Sequence, residues 1–169
     1  MNMIKLHYDK KKRIIYIKNN DETIEIVESE YPSQPVISPN EQRAVYISPL
    51  EWECLGSLYL FDLKEAKSVT LIKPTEDNYI PKKVIWINNN IIATIIGLGY
   101  GTVAVGGNVY LLNLDTHEKI NLTNNGLDVQ IIDIQYIGRK LLVKGIKYTD
   151  LDLNKFEEFI KEIEVNTDF

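Results

Sequence analysis

The sequence predicts an all-β protein, an incomplete or small β-propeller-like array of about 3–4 four-stranded antiparallel blades. Three observations lead to this fold class. Apolar residues alternate with polar ones or come in short β-branched blocks, which is typical of strands. Asn, Gly, Asp and Pro separate these blocks and favour tight turns between strands. The four-block pattern recurs about every 50 residues, which is the period of propeller blades.

The first element predicted is a hairpin over residues 4–28. The apolar block at residues 14–17 ends at the polar residues 19–21, and residues 23–27 then alternate in polarity. Because residues that favour a turn separate the two blocks, we expect them to pair as antiparallel strands.

The first complete blade is predicted over residues 35–73. It contains four apolar blocks, at residues 36–37, 44–48, 57–63 and 69–72. Pro39 fixes its backbone φ and Asn40 tolerates the left-handed conformation, so the chain can reverse direction between the first two blocks.

The same pattern recurs twice, as blade-like repeats over residues 82–123 and 128–165. The block around Tyr110 repeats the block around Tyr59 about 50 residues later. Since a single sheet cannot bury both of its faces, we expect successive sheets to stack against one another. Residues 1–169 are therefore interpreted as one propeller-like domain.

The C-terminal tail departs from this pattern. Its apolar residues have helical spacing, at Leu153, Phe156, Phe159, Ile160 and Ile163. A short helix or a turn is therefore expected near residues 154–158. Because the last repeat still lacks an outer strand, we expect residues 159–165 to supply it.

The first complete repeat carries a resemblance to known propellers. The segments that carry it are residues 38–41 (Ser-Pro-Asn-Glu), 44–46 and 58–63. They resemble the repeats of TolB-type and WD-type β-propellers, although Asn-Glu stands where Asp-Gly is usual. Residues 96–110, with Trp52 and Glu53, are also similar to an uncharacterised bacterial propeller-like family of unknown function. The resemblance implies the fold and no particular activity.

The charge of the chain bears on its partners. The net charge is −5 and the pI is about 5.1, which argues against nonspecific binding to nucleic acid or anionic lipid. The basic run at residues 10–13 is interpreted as a solvated turn. No stretch approaches the ~20 apolar residues of a membrane span. No signal peptide is visible, so a cytoplasmic location is expected, or an exported one if a signal has been removed.

The single cysteine limits the chemistry that can be expected. Cys54 cannot form an intramolecular disulfide or a cysteine-based metal site. As a nucleophile it would need His7 or His117 as a partner. Neither histidine lies in a recognisable motif, so no catalytic residue, metal site or cofactor is predicted.

One cluster of loops is the candidate binding site. In a propeller, the loops at residues 49–56, 97–107 and 74–81 would lie on the same rim. Their polar and aromatic side chains are Glu51, Trp52, Glu53, Asp77, Tyr79 and Tyr100. Rings stack on ligands and carboxylates accept hydrogen bonds, so this set could bind a sugar, a peptide or a cation. The alternative is that Trp52 and Tyr100 pack between blades and the acids are solvated.

Two further patterns on this rim have alternative interpretations. Glu51 and Glu53 could act as paired carboxylates in hydrolysis, but spacing alone is weak support. Glycines are frequent in residues 97–107, but the helix and Lys-Ser/Thr of a phosphate loop do not follow. These glycines are more typical of a tight hairpin or bulge.

The function expected is a non-enzymatic interaction module for a protein or small ligand, with self-association open. The alternative is a glycan- or small-molecule-binding or hydrolytic domain that uses the aromatic-carboxylate rim.

Overall fold

The computed structural model describes residues 4–169 and contains fourteen strands. The strands are β1 (Leu6–Asp9), β2 (Ile14–Lys18), β3 (Ile24–Ile26), β4 (Val36–Ile37), β5 (Arg43–Ser48), β6 (Ser57–Asp62), β7 (Lys67–Ile72), β8 (Tyr79–Trp86), β9 (Ile91–Leu98), β10 (Asn108–Asn113), β11 (Lys119–Asn121), β12 (Val129–Ile137), β13 (Lys140–Tyr148) and β14 (Phe156–Glu164). Residues 4–169 form no helix, and hence none that is long and apolar enough to cross a membrane. The predicted all-β class is confirmed.

Consecutive strands pair antiparallel into four separate sheets. The first sheet has the order β1-β2-β3, the second β4-β5-β6-β7, the third β8-β9-β10-β11 and the fourth β12-β13-β14. Each sheet is thus a local meander of three or four strands, as in a propeller blade. The strands that open the second, third and fourth sheets contact one another in turn, so they form the inner edge of the array.

Three apolar clusters hold the sheets together. One packs Ile15 and Ile17 of the first sheet against Tyr46 and Phe61 of the second. Similar clusters lie between the second and third sheets and between the third and fourth. Among residues 4–169, no core cluster joins the first sheet to the fourth. The array is therefore open at both ends.

The short helix or turn expected near residues 154–158 is a turn, and it lies earlier, at residues 150–155; the outer strand expected at 159–165 begins at Phe156. The Asp150 carboxylate accepts hydrogen bonds from the backbone N–H groups of Asn154 and Lys155, both at 2.9 Å. This turn leads directly into β14, which pairs with β13 along nine residues. Phe159 packs towards the third sheet, whereas Ile160 points away from it and is exposed. The strand carries apolar residues on both of its faces, and their positions in the sequence coincide with the spacing expected of a helix.

Candidate functional site

The loops at residues 49–56 and 97–107 enclose a pocket of about 390 Å³. We call it the rim pocket. It is lined by Pro49, Leu50, Glu51, Trp52, Glu53, Cys54, Ile80, Pro81, Lys82, Gly99, Gly101, Ala104 and Val105. It therefore brings together the β5–β6 loop of the second sheet and the β9–β10 loop of the third.

Exposed apolar side chains surround this pocket. The Trp52 residue is 65% exposed, and Leu50 and Val105 are 38% and 51% exposed. Trp86, the other tryptophan, is buried between the second and third sheets and donates its Nε1–H to the carbonyl of Val36 at 2.8 Å. Trp52 is thus on the surface and does not pack between blades. An exposed aromatic residue beside other apolar side chains is typical of an interaction site.

Arg13, on the β1–β2 turn, ties the tryptophan loop to the first sheet. Its guanidinium donates to the Glu51 carboxylate and to the Leu50 carbonyl, both at 2.5 Å. It also lies 5.3 Å from the centre of the Tyr31 ring. The other Glu51 oxygen accepts the backbone N–H of Trp52 at 3.0 Å.

These hydrogen bonds favour the ionised form of the Glu51 carboxyl group. The hydrogen bond from the Trp52 backbone, followed by those from Arg13, lowers the pKa of Glu51 below its ordinary value. A carboxyl with a lowered pKa is ionised at neutral pH and holds no proton to give. Glu51 therefore fixes the loop and is unsuited to act as a general acid.

Lys82 lies on the other side of the pocket, beside an irregularity in β8. The ladder between β8 and β9 shifts register between Pro81 and Lys83. The Lys82 ammonium donates to the carbonyls of Ala104 and Gly106 at 2.6 and 3.0 Å. Burial lowers the pKa of this amine to about 8. Lys82 therefore holds the β9–β10 loop and places a partly buried amine at the pocket wall.

Gln130 secures the same loop from the fourth sheet. Its side chain is buried, accepts the Gly106 N–H at 2.9 Å and donates to the carbonyls of Val103 and Leu127. The Tyr148 hydroxyl also donates to the Val103 carbonyl, at 3.1 Å. The loop that forms one wall of the pocket is thus held by β8 of its own sheet and by the fourth sheet.

The glycines of this loop allow close approach of two backbone segments. A Cβ on Gly107 would lie 2.0 Å from the carbonyl oxygen of Ile96, and one on Gly97 would lie 1.8 Å from that of Gly106. Any larger residue would push β9 and β10 apart. The glycines therefore serve the hairpin, as one of the two interpretations expected.

The structure brings together part of the predicted residue set. Glu51, Trp52 and Glu53 line the rim pocket, whereas Asp77, Tyr79 and Tyr100 are absent from its lining. The connection that carries Asp77 and Tyr79 reaches the third-sheet loop through a bond from the Gly99 N–H to the Asn78 carbonyl, at 2.8 Å. Tyr79 and Tyr100 are 46% and 42% exposed nearby.

Three contributors to the site were missed by sequence reasoning. Arg13 belonged to a run interpreted as a solvated turn, yet it makes the main contact between the first sheet and the tryptophan loop. Lys82 and Val105 carried no sequence signal, because their roles depend on which loops meet. Sequence motifs of closely spaced residues cannot reveal contacts between side chains that lie far apart in the chain.

The cysteine does not have the partner that nucleophilic catalysis would need. Cys54 is half-buried in the pocket wall. Within residues 4–169, neither histidine hydrogen-bonds to it. His7 stacks on Tyr16 in the first sheet, with ring centres 5.1 Å apart, and His117 lies in the turn between β10 and β11.

Fold and site together define an open, propeller-like array of four sheets with a loop pocket on one rim. Residues 48–165 match the family described as Domain of unknown function (DUF4652), and the chain belongs to that family. A search among curated proteins gives no significant match.

Solved structures share the fold. A chain named "putative conserved lipoprotein" from Clostridium novyi NT is 24% identical, with a TM-score of 0.75, covering 98% of this chain and 100% of that one. TolB from Acinetobacter baumannii is 14% identical with a TM-score of 0.51, covering 98% of this chain and 39% of that one. The β-propeller domain of the Trilobed protease from Pyrococcus furiosus, with its open velcro topology, is 12% identical with a TM-score of 0.54, covering 96% and 52%.

Proposed function

We propose that this chain is a non-catalytic interaction module that binds an apolar segment of a partner protein in the rim pocket. The observation that carries the proposal is the exposure of Trp52 beside Leu50 and Val105 around one concave site. Large exposed aromatic residues next to a pocket are the usual anchors of protein recognition.

Residues 1–169 would act as one domain in this function. The blade-like repeats at residues 35–73, 82–123 and 128–165 supply the scaffold, and the N-terminal residues 4–28 supply Arg13. Glu53, Asp77, Tyr79 and Tyr100 would form a polar and aromatic border around the apolar centre. Such a border excludes water from the central contact and selects among partners.

The glycan-binding or hydrolytic alternative has less support. Hydrolysis by two carboxyl groups needs one of them protonated, and the surroundings of Glu51 favour its ionised form. The lining of the pocket is also rich in apolar side chains, which suits a peptide side chain better than a sugar hydroxyl.

The proposed function is compatible with two cellular locations. A cytoplasmic location and export are both compatible with a soluble binding module, and the printed name of the C. novyi chain supports export. Fractionation of producing cells, with detection of the chain in each fraction, distinguishes the two.

A selection from a random peptide library displayed on phage tests the function. We expect the wild-type chain to enrich peptides with a shared apolar or aromatic residue. Trp52→Ala should weaken binding of a selected peptide by about 2 kcal/mol, or about 30-fold in Kd by titration calorimetry. Leu151→Ala, in the exposed turn before β14, is the matched control and should bind as wild type does. Failure to enrich peptides, or equal binding by Trp52→Ala, would overturn the proposal.

A further inference from the structure

The open ends of the array present two sheet faces whose central apolar residues are exposed. Within residues 4–169, the β9–β10 loop covers only one end of the second of these faces, where it contacts Tyr148. In the first sheet, Ile15 and Ile17 face the second sheet, so Tyr16 and its cross-strand partner Ile26 face away. In the fourth sheet, Phe159 and Ile163 face the third sheet, so Ile160 and its neighbours face away. We call these surfaces the first outer face and the last outer face.

The first outer face is apolar and carries little negative charge. Ile24 and Ile26 are 62% and 60% exposed, and Tyr16 lies beside them with His7 stacked on its ring. Lys18 stands opposite Ile24. The one strand carboxylate on this face, that of Asp9, already accepts the backbone N–H groups of the following turn.

The last outer face is apolar at its centre and acidic overall. Phe156, Ile160 and Ile137 are 53%, 70% and 61% exposed. Register places the charged residues of this face on β13 and β14, namely Lys140, Lys144, Glu158, Glu162 and Glu164. Both lysines pair with glutamates of the same face, which leaves an excess of negative charge. Both outer faces therefore have apolar centres, and these are the surfaces that a second copy would bury. Charge does not contribute to the match, because Lys18 of the first face already pairs with Glu22 and Asp9 lies on the same face.

The curvature of the array shows how much of a ring these sheets fill. Nearly the whole chain superposes on about half of the P. furiosus β-propeller domain, since the match covers 96% of this chain and 52% of that one. Four sheets at this curvature span about half a turn. A second copy, related by a two-fold axis, would supply the other half.

We propose that two copies of this chain close one eight-bladed ring, with the first outer face of each copy packed on the last outer face of the other. Both interfaces are then identical, and the ring is closed, so assembly stops at two copies. This assembly uses surfaces other than the rim pocket. If the ring does not form, the peptide-binding proposal is unaffected. If no peptide binds the rim pocket, the ring proposal is likewise unaffected.

Light scattering coupled to size-exclusion chromatography tests the ring. We expect a mass near twice the chain mass of 19.5 kDa. A wild-type monomer, or a mass that grows with concentration beyond two copies, would overturn the proposal. Trp52→Ala should remain dimeric, because the rim pocket lies outside both interfaces.

Two single variants and their mixture establish which faces meet. Ile26→Glu alters the first outer face and Ile160→Lys alters the last, and each should give monomers with a wild-type circular dichroism spectrum. Leu151→Glu, an equally exposed apolar site away from both faces, should stay dimeric. Mixing the two monomeric variants should restore the dimer, since one interface is then unaltered and the other sets the new glutamate against the new lysine. A dimer that survives either single variant, or a mixture that stays monomeric, contradicts this pairing of faces.

Discussion

Arg13 and Glu51 are 38 residues apart in the chain, yet their side chains form an ion pair that joins the first sheet to the tryptophan loop of the second. The same guanidinium binds the Leu50 carbonyl, and Glu51 binds the Trp52 backbone. The exposed indole is therefore presented by a loop that is fixed at the two residues preceding it. A binding loop held in advance loses less entropy when a partner arrives.

Arg13→Met should weaken peptide binding more than it weakens the fold. The ion pair is partly exposed, and pairs that solvent reaches contribute little to stability because solvent screens them. Loss of the guanidinium nevertheless frees the loop that carries Trp52. Titration calorimetry with a selected peptide should show a higher Kd, with a smaller change than for Trp52→Ala, and thermal melts should nearly coincide.

Arg139→Met provides the control for this effect, because it removes an exposed arginine at the β12–β13 turn. It should leave the peptide Kd unchanged. A Kd for Arg13→Met equal to that of wild type would show that the ion pair does not organise the loop.

Because of Lys82, the free energy of unfolding should rise with pH in the alkaline range. Its pKa is about 8 in the folded protein against 10.5 for an ordinary lysine. Between these values the unfolded chain binds a proton that the folded chain has released, so the free energy of unfolding rises with pH. Below about 8 and above about 10.5 the two states bind equal numbers of protons at this site, and the effect is flat.

Urea unfolding of wild type and Lys82→Met across this range measures the effect. The difference in free energy of unfolding between wild type and variant should move in favour of wild type as pH rises from about 8 to about 10.5. Lys64→Met, an exposed lysine, controls for the removal of one charge. A constant difference across the range would show that Lys82 is not desolvated.

Gln130→Leu should destabilise the fold, because two backbone groups lose their partner. The N–H of Gly106 and the carbonyl of Leu127 would have to find other partners or stay unsatisfied, whereas the Val103 carbonyl keeps its bond from Tyr148. Leaving a buried polar group unpaired costs about 1–3 kcal/mol. Urea denaturation should show a loss in at least this range.

Gln34→Leu, at an exposed position, is the matched substitution and should change stability by less than about 0.5 kcal/mol. Hydrogen exchange offers a second measurement, since the Gly106 amide should lose protection in Gln130→Leu. Unchanged stability together with unchanged protection would argue that water replaces the glutamine side chain.

The sheets were predictable from sequence to the extent that their strands are continuous apolar blocks. The β9–β10 hairpin, with its buried Ile92 and Val109, is such a case. β1 was harder, because Leu6–Asp9 is short and mixed in polarity, and pairing with β2 defines it as a strand. The start of β14 was predicted as a helix or a turn, because a strand at the end of the array carries apolar residues on both faces and their spacing resembles that of a helix.

The sequence predicted which loops form the site, but it did not predict the side-chain contacts that hold them. Trp52 could be placed on a rim because propeller connectivity sets which loops share an end of the sheets. The convergence of Arg13 and Lys82 on that rim depends on the packing of three different sheets, and nothing local in the chain encodes it.

The final strand, β14, is an edge strand whose free backbone groups could recruit a foreign chain. Five of its nine residues are charged, in the segment FEEFIKEIE, and these charges would repel a like strand that approached along the edge. Copies of the protein can consequently meet through broad surfaces without extending one another's hydrogen-bond ladders. The charged residues of β14 thus oppose fibrous growth of the protein.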